Sequence, residues 1–246
     1  MTSLILSFVV LSQAKAHPGF AHNDYVRSRP LLEAWERGFR FVEADVFLVN
    51  GKLLVAHDRK DVREDRTLRS LYLEPLSKLP KRDGMFWLMV DIKAEGAAVY
   101  AVLQKELAEY RSMLAKWTDG GPSAGRVAVV LSGDRPVSVV AAQKVRWVAI
   151  DGRPGDLETN PPIGLVPWIS TSYLGFKWPS GLKGYVEKVH EQGRKARFWA
   201  IPDTADSWKM QWELGIDMIN TDRPKEFAEW FGSLKPKGSQ MRSLSR

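Results

Sequence analysis

The chain of 246 residues contains no cysteine. Disulfide bonds and thiolate metal ligands are therefore excluded, and cysteine usage does not indicate whether the compartment is oxidising or reducing. The apolar run at residues 4–11 is too short for a membrane span, which needs ~20 residues. An arginine- and aromatic-rich motif for nucleic acids is also missing, so no nucleic-acid partner is expected.

Most of the net charge of +7 lies near the ends of the chain. Lys15 carries one positive charge and Lys235, Lys237, Arg242 and Arg246 carry four, which leaves residues 17–232 only mildly basic. Residues 233–246 are rich in Lys and Ser, a composition typical of a disordered basic tail. This tail and Trp178 are candidates for peripheral contact with a membrane surface.

Residues 1–16 combine the apolar run with Ala14, Lys15 and Ala16, the small-x-small pattern of a secretory cleavage site. The pattern predicts a signal peptide and a secreted or periplasmic mature chain that begins at His17. Because no basic residue precedes the apolar run, an ordinary N-terminal helix remains the alternative.

Strand-like and helix-like segments alternate from residue 19 to residue 223. Strands are predicted at residues 19–22, 40–48, 86–92, 126–132, 146–150, 165–170, 195–201 and 217–221. Helices are predicted at residues 29–37, 67–79, 96–117, 136–144, 181–192, 205–214 and 224–230. This alternation predicts parallel strands with right-handed crossovers. Eight strands in a chain of this length are typical of a closed (β/α)8 TIM barrel.

We therefore predict a single α/β domain, a somewhat irregular TIM barrel of residues 17–232. The turn at residues 49–52 predicts an extra extended segment at residues 52–57, after the second strand. Residues 151–164 contain two adjacent prolines and three glycines, which predicts a loop between the fifth and sixth strands.

Glu43 and Asp45 occupy one face of the second predicted strand, while Val42, Ala44 and Val46 occupy the other. If both faces are covered, as in a parallel sheet, two neighbouring carboxylates are buried together and need a cation or hydrogen-bond donors. Hard divalent cations bind through oxygen, so the pair predicts a metal site. An edge strand with a solvated acidic face is the alternative.

Active sites of barrels lie at the carboxyl ends of the strands, and polar residues gather at those ends in this chain. The candidates are His22 and Asn23, Glu43 and Asp45, His57 and Asp58, Asp91 and Lys93, and Trp199. Acids and bases from several strands on one rim are hard to explain by packing alone, so the sequence predicts a site there.

These residues resemble a known superfamily, that of phosphatidylinositol phospholipase C and glycerophosphodiester phosphodiesterase. The resemblance is carried by the run His22 to Tyr25, the pair Glu43-x-Asp45, the pair His57-Asp58 and the run Asn220 to Pro224. It covers residues 19–224 and is strongest to the branch that contains the fungal altered-inheritance-of-mitochondria proteins. It implies a barrel that cleaves a phosphodiester with a divalent metal, Ca²⁺ or Mg²⁺.

The resemblance also implies a role for each residue. His22 and His57 take the roles of general acid and base, Glu43, Asp45 and Asp91 bind the metal, and Lys93 and Trp199 bind substrate. Glycerophosphodiesterases follow the first histidine with Arg-Gly, whereas Asn23 and Asp24 follow it here. The loss of that arginine weakens the case for glycerophosphodiesters as the substrate class.

Asn23 resembles the asparagine of eukaryotic phosphoinositide phospholipases, whose side-chain carbonyl binds calcium. A fourth oxygen ligand favours calcium over magnesium. The alternative is that Asn23 caps the loop after the first strand, because asparagine often serves turns.

The sequence thus predicts a monomeric, metal-dependent phosphodiesterase that acts on a small phosphodiester or a phospholipid head group. Two other functions remain open. One is a non-catalytic barrel that binds phospho-head-groups, and the other is a phospholipase that works at a membrane surface.

Overall fold

The computed structural model describes residues 16–175 and 180–234. Residues 1–15 of the predicted signal peptide, Trp178 and residues 235–246 of the predicted tail lie outside these ranges.

A closed parallel barrel forms the centre of the structure. The strands are β1 (Gly19–Ala21), β2 (Phe41–Val49), β3 (Lys52–Val55), β4 (Phe86–Ile92), β5 (Trp117–Thr118), β6 (Gly121–Pro122), β7 (Val127–Gly133), β8 (Val148–Gly152), β9 (Trp168–Ser172), β10 (Lys195–Trp199) and β11 (Met218–Thr221). Eight of them pair in parallel around the barrel in the order β1, β2, β4, β7, β8, β9, β10, β11, and β11 pairs with β1. The predicted (β/α)8 barrel is confirmed.

Helices follow most of the barrel strands. They are α1 (Leu32–Glu36), α2 (Glu74–Lys78), α3 (Gly96–Glu109), α4 (Val137–Ala141), α5 (Asp156–Thr159), α6 (Ser180–Glu191), α7 (Ala205–Leu214) and α8 (Pro224–Ser233). A π-helical turn, Arg69–Leu73, leads into α2. Within the described ranges, no helix has both the length and the apolar character of a membrane span.

The structure corrects the sequence prediction in two connecting segments. The helix predicted at residues 96–117 ends at Glu109. Trp117, predicted as its last residue, is instead a fully buried strand residue whose backbone pairs with that of Arg146. The predicted loop at residues 151–164 contains α5, and its first two residues extend β8. His190 on α6 is partly buried, and its Nε2 lies 2.8 Å from Asp217 Oδ2.

The strands of the barrel bury both of their faces. Outward residues of β2, among them Val42 and Ala44, pack in the cluster under the helices. Inward aromatic residues of neighbouring strands, such as Phe41, Trp87 and Trp168, form a plug inside the barrel. Because β2 lies between β1 and β4 and its first seven residues are buried, the edge-strand alternative is excluded.

His17 packs at the start of β1, where the chain enters the barrel. Its ring stands edge-on to Phe39 at 4.4 Å, Nε2 donates to the carbonyl of Arg37, and Nδ1 accepts from the backbone N–H of Gly19. The bond from Gly19 requires the neutral imidazole, because only an unprotonated Nδ1 can accept it. Burial lowers the pKa of His17 to about 4, although the bond to the Arg37 carbonyl opposes the shift.

This buried histidine predicts a loss of stability in mild acid. The unfolded chain takes up a proton near pH 6.5 that folded His17 resists down to about pH 4. The free energy of unfolding should therefore fall as the pH drops through this window, by roughly 2 kcal/mol at pH 5. Urea unfolding of wild type and His17→Gln at pH 7 and pH 5 measures the difference, with His190→Gln as the control. An equal pH dependence in wild type and His17→Gln would contradict the assignment.

Candidate active site

A group of polar side chains lies inside the barrel, on the carboxyl side of the aromatic plug. Each follows an inward apolar residue of its own strand by two positions, and alternation therefore places it on the same inward face. The pairs are Phe41 and Glu43, Met89 and Asp91, Val130 and Ser132, Ala149 and Asp151, Trp168 and Ser170, and Met218 and Asn220. The strands thus deliver their polar residues to one mouth of the barrel.

Glu43 and Asp45 are 5% and 1% exposed, so the predicted burial of both carboxylates is confirmed. Burial raises the pKa of Glu43, and the carboxylates of Asp45 and Asp91 reinforce the shift. The positive charges of His22 and Arg197 oppose it. Glu43 therefore holds a proton more readily than a carboxyl group in water does.

Lys93 lies between two of these acids. Its Nζ is 2.7 Å from Asp45 Oδ2 and 2.7 Å from Asp91 Oδ2. Burial alone would lower the pKa of Lys93, but the hydrogen bonds to the two carboxylates outweigh it and raise the pKa. The sequence predicted that Lys93 contacts the substrate, and the structure adds that its ammonium is an internal counter-ion of the acids.

His22 is fixed by a carboxylate from the far end of the chain. Its Nδ1 lies 2.9 Å from Asp222 Oδ1, and its Nε2 lies 3.4 Å from Glu43 Oε2. Burial would lower the pKa of His22, but the bond to Asp222 and the charge of Glu43 raise it. The pKa of Asp222 is lowered, because its bond to His22 outweighs the effect of burial.

His57 is the more exposed of the two predicted catalytic histidines, with 62% of its side chain accessible. Its Nδ1 lies 3.2 Å from Asp45 Oδ2. Within the described part of the chain, no hydrogen bond engages its Nε2. Both predicted catalytic histidines thus meet a carboxylate through Nδ1, whereas their Nε2 atoms differ, because Nε2 of His22 lies beside Glu43.

Asn23 occupies the turn after β1 in a left-handed conformation, with φ 47° and ψ 38°. Its side-chain carbonyl accepts a 2.7 Å bond from Tyr25, its amide donates to Asp222, and its backbone N–H donates to Glu43 Oε2. These contacts favour the loop role for Asn23. Its role as a metal ligand stays a prediction.

The acids fit a hard divalent cation in their chemistry. Oδ1 of Asp45 is buried and has no hydrogen-bond partner within the described residues, and Glu43 is a buried carboxylate with a raised pKa. Both features favour an added cation, which carboxylate oxygens bind. No group of three or more His, Asp or Glu side chains in residues 16–175 and 180–234 is already arranged around a metal position. In the present arrangement the single ammonium of Lys93 offsets only part of the charge of Asp45 and Asp91.

Two of the remaining rim residues have different environments. Trp199, predicted to contact the substrate, ends β10 beside Ser172 and is 43% exposed, so its role stays a prediction. Asp58 has an exposed side chain. The buried Arg197, which received no role from the sequence, donates from Nε to Asn220 Oδ1 and lies over the ring of Phe20.

Tyr25 is another site residue to which the sequence gave no role. It is 3% exposed, and its hydroxyl lies 2.7 Å from Asn23 Oδ1, 2.7 Å from Asp45 Oδ2 and 3.4 Å from His57 Nδ1. Its position in the run His22 to Tyr25 was the available signal. The hydroxyl connects the turn after β1 with the acid that holds His57.

The sequence is similar to a known family and to known fungal proteins. A family described as the AIM6-like phosphodiesterase domain matches residues 10–84. The altered inheritance of mitochondria protein 6 homolog of Arthroderma benhamiae is 27% identical, over 83% of this chain and 81% of that protein. Altered inheritance of mitochondria protein 6 of Eremothecium gossypii is 29% identical, over 82% of this chain and 66% of that protein.

Solved structures share the fold. A glycerophosphodiester phosphodiesterase from Parabacteroides distasonis superimposes with a TM-score of 0.59 at 17% identity, over 87% of this chain and 96% of that one. An Oleispira antarctica phosphodiesterase, solved with its product sn-glycerol-3-phosphate, gives a TM-score of 0.59 at 13% identity, with the same coverage of both chains.

The contacts of Tyr25 predict that Tyr25→Phe lowers turnover without preventing folding. Loss of the hydroxyl removes one of the donors to Asp45 and frees His57 to reorient. We expect kcat to fall by about tenfold, the value of one charge-assisted hydrogen bond, with KM little changed. Steady-state kinetics across a pH series measure both constants.

Tyr72→Phe is the matched control, because Tyr72 is also buried and its hydroxyl donates to Asp24, away from His57. Equal losses of kcat in Tyr25→Phe and Tyr72→Phe would reduce the Tyr25 hydroxyl to a general stabilising role.

Proposed function

We propose that the chain belongs to the glycerophosphodiester phosphodiesterase-like superfamily, in the branch of the altered-inheritance-of-mitochondria 6 proteins to which it is similar, and that it is a metal-dependent phosphodiesterase with two catalytic histidines. Its proposed substrate is a glycerophosphodiester or a phosphoinositide-like diester. The observation that carries the proposal is the pair of imidazoles at one mouth, His22 and His57, each held through Nδ1 by a carboxylate.

A phosphodiester places two demands on a catalyst. Negative charge on its non-bridging oxygens must be neutralised, and protons must move at the attacking and leaving oxygens. The mouth offers groups for both, because the ammonium of Lys93 and the imidazoles of His22 and His57 lie around the same buried acids.

The raised pKa of His22 suits it for the general acid. His57, held by Asp45, is then the general base. As the attacking hydroxyl or water forms its bond to phosphorus, Nε2 of His57 takes the proton of that oxygen. The bond from phosphorus to the leaving oxygen breaks, and this oxygen receives the proton from Nε2 of His22. Asp222 holds the orientation of His22 while its charge changes.

Positive charge at the phosphate is the second part of the proposal. Lys93 supplies one fixed cation. A divalent ion held by Glu43, Asp45 and Asp91, with Asn23 as a further candidate ligand, would add positive charge at the non-bridging oxygens.

A membrane-surface phospholipase is the second candidate function. Three apolar side chains, Val26, Leu174 and Trp199, are 61%, 78% and 43% exposed on segments that follow or end β1, β9 and β10, all at the mouth. Such a rim would contact lipid. Co-sedimentation with vesicles, with and without residues 233–246, separates this candidate from a hydrolase of water-soluble diesters.

Replacement of either histidine tests the acid–base proposal. His22→Ala and His57→Ala should each lower turnover by about 10²–10⁴-fold, the usual contribution of one positioned acid or base. The double variant should lose less than the product of the two effects, because both groups serve one transition state. Near wild-type turnover in either single variant, on a diester with a poor leaving group, would make that histidine structural.

Removal of metal tests the role of the acids. Hydrolysis of bis-para-nitrophenyl phosphate should stop after chelation and return with calcium or magnesium, and full activity after exhaustive chelation would refute the metal site. Asn23→Ala should raise the calcium concentration for half-maximal activity if Asn23 is a ligand. Unchanged calcium dependence with a lower melting temperature would assign Asn23 to the turn alone.

A further inference from the structure

The β7–β8 side of the mouth carries two arginines that the proposed mechanism does not use. Arg135 follows β7, Arg153 follows β8, and both side chains are partly exposed at the rim. Nη1 of Arg135 donates to the backbone carbonyl of Asp151, and Nη1 of Arg153 lies 3.3 Å from the same oxygen. The two guanidinium groups therefore meet at one carbonyl.

The carboxylate below them is already fully engaged. Asp151 is completely buried, and its Oδ2 accepts from Ser132 at 2.8 Å and from Arg153 at 2.5 Å. Its Oδ1 accepts from Nε1 of Trp168 at 2.6 Å. Burial would raise the pKa of Asp151, but the charges of Arg153 and Arg197 lower it. Asp151 thus anchors Arg153 and leaves Arg135 without a carboxylate of its own.

Arg135 is a half-buried cation beside another cation. Burial lowers its pKa, the charge of Arg153 lowers it further, and Asp151 and Asp156 oppose the shift. The carboxylate of Asp156 accepts from the backbone N–H of Arg153 at 2.7 Å. Within the described residues, the bond to Asp151 is the one side-chain hydrogen bond of Arg135, so most of its five N–H donors remain available.

The pair lies next to the catalytic groups. Ser132 on β7 is the register partner of Asp91 on β4, one strand spacing of ~4.8 Å away. Nη2 of Arg153 lies 3.1 Å from Ser132 Oγ, and Asp91 binds Lys93. A diester whose phosphate contacts Lys93 would therefore place one of its alcohols within reach of Arg153.

We propose that Arg135 and Arg153 form a second anion-binding subsite, which holds a carboxylate or phosphate group on the alcohol part of the substrate. Forked guanidinium groups bind both anions well. This inference rests on the proposed function and narrows its substrates to diesters with an anionic alcohol.

The test compares para-nitrophenyl phosphodiesters that differ in one group. The second alcohol is glycolate, with a carboxylate, or glycolamide, with a neutral amide of the same shape. A third diester, in which the second alcohol is ethylene glycol monophosphate, separates phosphate from carboxylate recognition. Wild type should show a kcat/KM about tenfold higher for at least one anionic diester than for the amide, with the difference in KM.

Arg135→Gln should bring this ratio close to one, since it removes the cation that lacks a carboxylate. Arg153→Lys retains the charge beside buried Asp151, keeps the fold and should lower the ratio through loss of the fork. Lys78→Gln is the control, because it removes one positive charge from an exposed pair with Glu74 on α2. A ratio near one in wild type, or a ratio unchanged in both arginine variants, would overturn the subsite.

A binding measurement separates this inference from the proposed function. Calorimetric titration of the whole protein with phosphoglycolate and with its amide should show about tenfold tighter binding of phosphoglycolate, and Arg135→Gln should abolish the difference. Such a preference without hydrolysis of any diester would uphold the subsite and reject the proposed function. Equal affinity for both probes would reject the carboxylate form of the subsite, and the same titration with ethylene glycol bisphosphate and ethylene glycol monophosphate decides its phosphate form.

Discussion

Two carboxylates buried side by side on β2 determine how the mouth of the barrel is built. Glu43 and Asp45 cannot stay charged in a closed interior unless partners compensate for the lost water. The ammonium of Lys93 and the hydroxyl of Tyr25 serve Asp45, while His22 and the backbone N–H of Asn23 serve Glu43. Removal of a partner from such a buried pair costs about 3–5 kcal/mol, so the polar groups here depend on one another.

The contacts that compensate the buried acids also position the groups that phosphate chemistry requires. Asp45 holds His57 as well as Lys93, so a base and a cation share one anchor. Asp222, which follows the last barrel strand, holds the orientation of His22, which follows the first. Below these groups the rings of Phe41, Trp87 and Trp168 fill the barrel, which closes the interior to water from that side. Because the aromatic plug excludes water on one side, the electrostatic interactions among the polar groups are stronger and their orientations are fixed.

Local patterns predicted the barrel and much of its mouth, because alternation along a strand reports which side chains face inward. The sequence of β2 alone placed Glu43 and Asp45 on one face, and the structure showed that this face is buried. Sequence patterns failed where contacts between residues far apart in the chain determine the local structure. Trp117 lies outside the helix predicted for it, because its backbone pairs with that of Arg146. The bond of Tyr25 to Asp45 depends on how the turn after β1 packs against β2. The turn role of Asn23, in contrast, was one of the two alternatives that the sequence offered, and its contacts favour it.

The proposed mechanism divides proton transfer between His22 as the acid and His57 as the base, and this division makes the two variants differ in their dependence on the leaving group. Turnover of His22→Ala and His57→Ala is compared on two diesters of one alcohol, with para-nitrophenol or an alkyl alcohol as the leaving group. Para-nitrophenol departs without protonation, so we expect a large defect of His22→Ala on the alkyl diester and little defect on the nitrophenyl diester. His57→Ala should be defective on both. Equal defects of both variants on both diesters would refute the division of roles between the two histidines.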